Sequence, residues 1–442
     1  MNTLAGLRNF LLIWSGQLVS SVGSRLSSFA LGIWVLKTTG STSKFALIFV
    51  CMAIPAVLLS PFAGALVDRW DRRKTMMLCD LSCSVLMLGQ AALLAAGALE
   101  LWHIYLGAAL AALANAFHAP AYLASVPLLA SNEQLTRANG LIQTTEAVAM
   151  IAGPLLAGVL VSMMSVQGVL LIDGLTFLAA VFALSMARVP RPPAAPQPAD
   201  SLYREAAAGF AYVRQQRGLL GLLGVFGVSN FLFAIASILI TPLVLSFATE
   251  IQLGEQFAIG GAGLFLGGLF MTISGGFKQR ARAALAFYCI AGLALALHGV
   301  AANFWLVCGM GFVFFLTLPI INASFASVWQ SKIAPHMLGR CFAIQRVLSE
   351  SAMPVGYVLA GPLAENWFDP MLQPGGALAA SVGAVIGVGA GRGVGLIFIV
   401  LGLAMLLTAM LALAQPAIRS VDQLPDQAPP DDAADSARAS PA

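Results

Sequence analysis

The chain has 442 residues, of which 59% are hydrophobic and only 10% charged, and its formal net charge is +4. Soluble domains carry roughly 25% charged residues, so most of the surface of this chain must face lipid rather than water. The composition therefore excludes a soluble domain. Strand-like alternation of polar and apolar residues is also absent, which excludes a membrane β-barrel.

The apolar segments are long enough to be transmembrane helices. A helix that spans a bilayer needs about 20 mainly apolar residues, and twelve such segments are separated by polar or glycine-rich stretches. The first begins too early, and continues too far, to be a cleavable signal peptide. The predicted spans are 9–36, 45–67, 75–98, 102–127, 139–161, 168–187, 219–247, 257–276, 283–302, 304–328, 341–364 and 393–414.

The basic residues predict how these spans are oriented. If the N-terminus is cytoplasmic, the segments on that side hold 19 of the 23 Lys and Arg residues, and the external loops hold three. Basic residues concentrate in cytoplasmic loops of membrane proteins. The distribution therefore predicts an even number of spans, with both termini on the cytoplasmic side of a bacterial-type inner (plasma) membrane.

The chain divides into two bundles and two polar segments. We predict an N-terminal six-helix bundle over 1–189, a cytoplasmic linker with an amphipathic helix over 190–217, and a C-terminal six-helix bundle over 218–414. The segment 415–442 is rich in Pro, Asp and Ala and is predicted to be a disordered cytoplasmic tail. The glycine-rich stretch 375–395 is either an external loop or a re-entrant segment, and the loop is favoured.

The two bundles repeat in sequence. Shifted by 203 residues, AMIAGPLLAG at 149–158 aligns with AMPVGYVLAG at 352–361, and six of the ten positions are identical. Duplicated halves in a membrane protein place a substrate pathway at their interface. The repeat therefore predicts a transport site between the bundles.

The loop between the second and third spans carries the most specific motif. It contains Gly64, then the pair Asp68–Arg69, then Arg72 and Arg73. A glycine permits close approach of helices, and a carboxylate is attracted to the positive N-terminus of a helix. Anchoring by the positive-inside rule alone would explain the arginines but neither Gly64 nor Asp68.

This motif resembles the loop signature of the major facilitator superfamily, and its drug-efflux branch in particular, which includes macrolide and siderophore exporters. The resemblance covers residues 8–414 and departs from many relatives at Asp71, where they have glycine. It implies an all-α integral membrane fold with twelve transmembrane helices in two pseudo-symmetric six-helix bundles. It also implies that Asp68 meets the N-terminus of the eleventh helix and latches an outward-open state.

A second motif lies in the fifth span, at Ala149, Gly153, Pro154 and Gly158. Small residues four positions apart let two helices pack closely, and proline adds a bend. The pattern resembles the antiporter motif of the same family, with alanine at its first glycine position. Close helix packing is common in membrane proteins, so the motif supports export only together with the loop motif and the repeat.

Ionisable residues inside a bilayer are costly and are functional candidates by default. Arg25 lies near the middle of the first span and shares a polar stripe with Gln17 and four serines, which we expect to line a water-filled cavity. Glu146 and Glu350 occupy nearly equivalent places in the fifth and eleventh spans. Each of these two carboxylates either exchanges protons or braces the cytoplasmic latch, and Arg25 is either a cavity residue or a structural ion-pair partner.

Other embedded polar residues are weaker candidates. Asn115, Asn230 and Asn322 are polar points in the fourth, seventh and tenth spans and are expected to face the cavity. Asp80 and Asp173 lie near the ends of their spans and are interpreted as mainly structural. His118 is interpreted as a hydrogen-bonded packing residue.

The sequence contains no pattern typical of an enzyme. A phosphate-binding loop, a zinc-protease motif, a nucleophile elbow and a paired-cysteine metal motif are all absent, so no cofactor, no metal and no nucleic-acid partner is predicted. The function predicted is proton-coupled export of small amphipathic molecules, such as drugs, macrolides or siderophores, by a monomer. Two alternatives stay open: a dedicated transporter of one metabolite or lysolipid, and a non-transporting membrane sensor or scaffold.

Overall fold

The computed structural model describes residues 3–67, 70–129, 132–190, 210–333 and 338–425. Within them, twelve long helices follow one another, and each corresponds to one predicted span. They are α1 (Thr3–Thr39), α2 (Thr42–Val67), α3 (Arg72–Ala95), α4 (Leu101–Leu129), α5 (Asn132–Met163), α6 (Val166–Met186), α7 (Arg217–Leu245), α8 (Glu250–Ser274), α9 (Arg280–His298), α10 (Phe304–Lys332), α11 (Leu338–Pro362) and α12 (Arg392–Ala414).

Eleven of these helices are long and apolar enough to cross a membrane, judged by length and composition over the described residues. The exception is α11, whose first half carries Arg340, Arg346 and Glu350. Many of the large apolar side chains are exposed at the outer surface of the bundle, as lipid-facing residues must be. A chain with so few charged residues cannot cover its surface with them, so apolar side chains cover it instead.

The helices form two bundles of six. In the first, α1 packs against α5 and α6, and α3 packs against α4 and α6; in the second, α10 packs against α8 and α9, and α9 packs against α12. Because successive helices alternate in direction, the end of α6 at Met186 and the start of α7 at Arg217 define one end of the molecule, the linker side. The turns at 40–41, 164–165 and 246–249 define the opposite end, the far side.

The loop motif after α2 stabilises the linker side of the first bundle. Arg72 Nη1 donates to Ala124 O at 2.7 Å, and Arg73 Nε donates to Leu184 O at 2.8 Å in the last turn of α6. The last carbonyl groups of a helix have no partner within the helix. The two arginines therefore tie α3 to α4 and to the end of α6.

The connection between α11 and α12 is a folded far-side loop, as favoured from its composition, rather than a re-entrant helix. It contains short helical turns over Leu363–Phe368, Asp369–Met371 and Gly383–Ile386. Backbone hydrogen bonds join its ends, with Gly389 N donating to Leu372 O at 2.8 Å. Leu372 is fully buried beneath it.

The prediction of a disordered tail over 415–442 is wrong for its first part. Residues up to 425 fold back on the second bundle through a helix at Pro416–Arg419 and a turn at Val421–Gln423. Ile418 and Val421 are buried, and Asp422 accepts from Ala281 N at 2.9 Å at the start of α9. An apolar pair three residues apart, together with a carboxylate at a helix N-terminus, gives this short segment enough contacts to order it.

Only part of the predicted linker helix lies within the described residues. Residues 210–215 are helical, and Val213 is fully buried against the second bundle. The proline-rich part of the linker, 191–209, lies outside the described residues.

Candidate functional site

The two bundles meet at the far side through two equivalent helix pairs, α5 with α8 and α2 with α11. A Cβ atom at Gly158 of α5 would lie 2.7 Å from Glu250 O, at the start of α8. A Cβ atom at Gly361 of α11 would lie 2.7 Å from Ser43 N, at the start of α2. These glycines occupy the same position in the sequence repeat, so each half contributes one close contact of the same kind.

Polar contacts join the bundles at the same end. Lys37, in the last turn of α1, forms an ion pair with Glu250 of α8. The carboxylate of Glu365 accepts from Ser43 N at 3.0 Å and from Ser43 Oγ at 2.6 Å, at the N-terminus of α2. Burial raises the pKa of Glu365, but the hydrogen bonds from Ser43 and its neighbours outweigh it, and the pKa lies below its ordinary value. The far side is therefore closed by glycine packing and by charge.

A cavity of about 300 Å³ lies between the bundles, on the linker side of this closure. Its walls come from both halves and are mostly apolar, with the rings of Phe29 of α1 and Phe257 of α8 in edge contact across the interface, their centroids 6.2 Å apart. Eight phenylalanines surround the space. They are Phe29, Phe45, Phe49, Phe233, Phe257, Phe314, Phe315 and Phe398.

A smaller space of about 120 Å³ lies on the linker side of this cavity, within the second bundle, and shares Phe233, Leu295 and Phe314 with it. Asn230 and Asn322 both line this space. The structure thus places these two predicted cavity residues beside the central site. The Asn230 side chain donates to Phe226 O at 2.8 Å.

One ion pair stands where the main cavity faces the linker side. Arg25 Nη2 lies 3.5 Å from Glu146 Oε2, and the two side chains are 55% and 63% exposed. Arg25 lines the cavity, and Glu146 lies one helical turn before Met150, which lines it too. The structure thus brings together two residues that the sequence had singled out separately, in a contact open to exchange with solvent or a ligand.

Gln17 and Ser27 of α1 contact residues inside the first bundle instead of the cavity. Gln17 is buried and donates to Asp80 Oδ2 at 2.9 Å, and Asp80 Oδ1 lies 3.3 Å from His118 Nε2. Ser27 donates to the buried carboxylate of Asp173. The predicted stripe is therefore divided: Arg25 and Ser28 line the cavity, while Gln17 belongs to a polar network inside the first bundle.

The antiporter-like motif of α5 lies where this helix meets both halves. Ala149 is buried, and Gly153 sits directly against the side chain of Arg25, where a Cβ atom on the glycine would lie 3.2 Å from Arg25 Cγ. Pro154 lines the cavity, and its carbonyl oxygen lies against Gly254 of α8. The motif thus shapes the α1–α5–α8 contact around the ion pair.

The other predicted residues are placed as follows. Gly64 lies in the last turns of α2, while Asp68 and Arg69 lie outside the described residues, as does the side chain of Glu350 on α11. Asn115 is exposed on α4.

Two buried residues of the cavity were missed by the sequence. Gln256 of α8 and His298 of α9 line the main cavity, and they are only 1% and 3% exposed. Single polar residues in apolar helices form no spacing pattern. The sequence signals them only as isolated polar residues in apolar helices, where a polar side chain is costly and is therefore a functional candidate.

Comparisons with known proteins match this architecture. The family model of the Major Facilitator Superfamily matches residues 13–357. Macrolide efflux protein A of Streptococcus pyogenes is 27% identical over 371 residues, covering 81% of this chain and 91% of that protein. The multidrug efflux pump Tap of Mycobacterium tuberculosis is 24% identical over 428 residues, covering 94% of this chain and 95% of that protein.

Solved structures show the same fold at low sequence identity. A bacterial homologue of the human lysosomal transporter Spinster, in an inward-facing and unoccupied conformation, superposes with a TM-score of 0.70 at 14% identity, covering 96% of this chain and 98% of that one. A bacterial homologue of the iron transporter ferroportin, also inward-facing, gives 0.65 at 15% identity, covering 92% and 99%. The predicted all-α membrane fold of two six-helix bundles is confirmed.

Proposed function

The chain belongs to the Major Facilitator Superfamily, and from this premise we propose that it is a proton-coupled exporter of small amphipathic molecules. It is a multi-pass membrane transporter and not an enzyme. The observation that carries the proposal is the aromatic cavity between the bundles, with the Arg25–Glu146 ion pair at its linker-side edge. Such a site suits a ligand with a large apolar body and one charged or polar group.

The lining of the cavity supports the substrate class. Aromatic rings offer broad apolar contact surfaces and stack on planar or cyclic molecules, and Met150 adds a flexible, polarisable side chain. Flexible apolar surfaces accept varied ligands because they can repack. The matched relatives are named for efflux of macrolides and of multiple drugs, and we include siderophores among the candidate cargoes.

Coupling to protons is assigned to the embedded carboxylates. Glu146 contacts Arg25 through a single long contact, so a change in its protonation or the arrival of a cationic ligand would release Arg25. An arginine nearby favours the charged carboxylate, whereas burial favours the neutral one. Exchange of a proton at Glu146 would make or break this contact, and Glu350 is the equivalent candidate in the second half.

Alternating access follows from the arrangement of the halves. In the described conformation the far side is closed by the α5–α8 and α2–α11 contacts. We propose that these contacts separate when Asp68 latches the linker side against the N-terminus of α11. The two six-helix bundles then rock about the central cavity.

We further propose a bacterial-type inner membrane as the location, with both termini in the cytoplasm and the linker side cytoplasmic. The excess of basic residues on the linker side supports this orientation. We expect the chain to work as a monomer, since one chain holds both halves of the cavity.

The proposal is tested by uptake into inverted membrane vesicles, using a panel of cationic dyes, macrolides and siderophores. We expect energised accumulation that an uncoupler collapses, and a loss of at least tenfold in Glu146→Gln and Asp68→Asn, in line with the loss of one charge contact or proton carrier. The matched control is Glu100→Gln, which changes an exposed carboxylate in a far-side turn.

The outcomes separate the alternatives. Accumulation of several unrelated compounds supports a broad exporter, while accumulation of one compound alone supports a dedicated transporter of the same fold. Flux that persists after addition of the uncoupler would contradict proton coupling. No flux for any compound, with folded protein confirmed, would refute the proposed exporter.

A further inference from the structure

The charge on the wall of the main cavity has one sign. Among the described residues, Arg25 of α1 is the one Lys, Arg, Asp or Glu side chain that lines this cavity, and none lines the smaller space beside it. Glu146 is not part of the wall, because it lies one helical turn from Met150 toward the linker side. A ligand inside the cavity therefore contacts a positive charge, whereas the negative charge lies beyond the edge.

The Arg25 side chain is held at its base and accessible at its tip. Gly153 of α5 lies against its stem, where a Cβ atom on the glycine would lie 3.2 Å from Arg25 Cγ. The side chain as a whole is nevertheless 55% exposed. Long basic side chains can pack their stems while the charged group stays accessible, and a stem that is already held loses less conformational entropy when the group binds a ligand.

The contact with Glu146 leaves most of the guanidinium group unused. One approach of 3.5 Å, between Nη2 and Oε2, joins the two side chains, whereas a guanidinium group has five N–H donors. An ion pair this exposed contributes little, because water and salt screen it. An anionic group of a ligand can instead accept two parallel hydrogen bonds from Arg25, beside apolar walls that exclude water and strengthen the contact.

We propose that Arg25 binds the anionic group of an amphipathic substrate whose apolar body lies in the main cavity. This inference rests on the proposed function, since it names the charge of the substrate at the same site. Glu146 acts against binding, because its carboxylate repels the anion and contacts Arg25. A cationic group at the same place would be repelled by Arg25. The site therefore selects amphipathic anions over neutral and cationic molecules of the same shape.

Two dyes with one skeleton provide the test. 8-Anilinonaphthalene-1-sulfonate carries a sulfonate group, and N-phenyl-1-naphthylamine is the same molecule without it. The fluorescence of both dyes rises in apolar surroundings, so their binding to purified protein in phosphatidylcholine nanodiscs is measured directly, without a proton gradient and with empty nanodiscs subtracted. The quantity compared is the ratio of the two affinities, because the contribution of the shared apolar body cancels in it.

Two variants should move this ratio in opposite directions. Arg25→Gln should weaken binding of the sulfonate dye by roughly tenfold, the effect of about one charge-assisted hydrogen bond, and leave the neutral dye unchanged. Glu146→Gln should strengthen binding of the sulfonate dye by roughly threefold, since it releases a weak, exposed ion pair. The matched control is Arg8→Gln, which removes one positive charge from an exposed position of α1 outside the cavity wall and should keep the wild-type ratio.

An unchanged ratio in Arg25→Gln, or a wild type that binds only the neutral dye, would overturn anion recognition while leaving the exporter proposal intact. An equal fall of the ratio in Arg8→Gln would also overturn it, because net charge alone would then explain the effect. If Arg25→Gln binds neither dye, Glu146→Gln decides: a ratio that rises supports the inference, and a ratio that stays or falls overturns it. If the wild type binds neither dye, the amphipathic substrate class fails and this inference fails with it.

Discussion

Substitution of Gly158 or Gly361 by alanine should open the far side of the transporter. These glycines hold equivalent positions in the repeated sequence, and each lies against the first turn of a helix from the other half. Alanine adds one methyl group at the point where the two bundles touch. The far-side contact, and not the interior of either bundle, should bear the strain.

The size of the effect follows from the distances. At residue 158 the new methyl carbon would lie 2.7 Å from Glu250 O and 3.2 Å from Ile251 Cα, whereas relaxed contacts between carbon atoms are about 3.5–4.0 Å. Both neighbours are backbone atoms, so α5 and α8 must separate by roughly 0.5–1 Å to restore ordinary contacts. Overpacking of this kind costs about 1–3 kcal/mol, which shifts a two-state equilibrium by about 5- to 150-fold.

The assay is the distance between two spin labels at the far side. Cysteines replace Ala98, in the turn before α4, and Ala302, in the turn before α10, in a background from which the six native cysteines are removed. Double electron–electron resonance spectroscopy of the labelled protein in nanodiscs then reports the separation of the two bundles. Both alanine variants should shift the distribution toward longer distances.

The control for this experiment is Gly268→Ala on α8, where an added Cβ meets no atom within 4 Å in the described part of the chain. All three variants gain the same helix propensity, which is about 1 kcal/mol in favour of alanine, so a propensity effect would appear in the control as well. Distributions for Gly158→Ala and Gly361→Ala that match the control would refute the view that these glycines close the far side.

Three further predictions follow from single features. The lowered pKa of Glu365 means that its far-side contact is present at neutral pH and lost as the pH falls through that pKa. Far-side opening should therefore rise on acidification, and Glu365→Gln should reduce this response to the part that depends on the Lys37–Glu250 pair. Gln17→Leu removes a donor to the buried Asp80 and should lower the melting temperature, with a cost of about 1–3 kcal/mol. Truncation after Ala414 should also lower it, because it removes the buried side chains of Ile418 and Val421.

The helices and their pairing into halves could be predicted because they depend on composition along the chain. A run of about 20 apolar residues specifies a spanning helix, and the repeat at 149–158 and 352–361 located the matching contact glycines. The partnership of Arg25 with Glu146 is different, because 121 residues separate them. Sequence singled out each residue by its cost in a bilayer but gave no reason to pair them.

The juxtaposition of Gln256 with His298, and the folded tail, could not be predicted for two physical reasons. Gln256 and His298 come from different helices, and only the packing of α8, α9 and α10 brings them together beside Gly311. The tail has a composition typical of disorder, yet its few apolar side chains, Ile418 and Val421, find a preformed surface on the second bundle. Composition indicates how much apolar surface a segment can bury by itself. It does not indicate which surface of a neighbouring element the segment can pack against.

The polar groups of the cavity stand at its two ends, and this separation bears on how a substrate would be held. The Arg25–Glu146 pair lies at the linker-side edge, open to solvent, while the polar side chains of Gln256 and His298 lie buried at the far-side end of the cavity. Between them the walls are mainly apolar. A ligand that satisfies both ends must carry a charge and a second polar group at opposite ends of an apolar body. Because this end of the cavity abuts the helices that close the far side, binding there would couple recognition of the second polar group to the contacts that must separate for release.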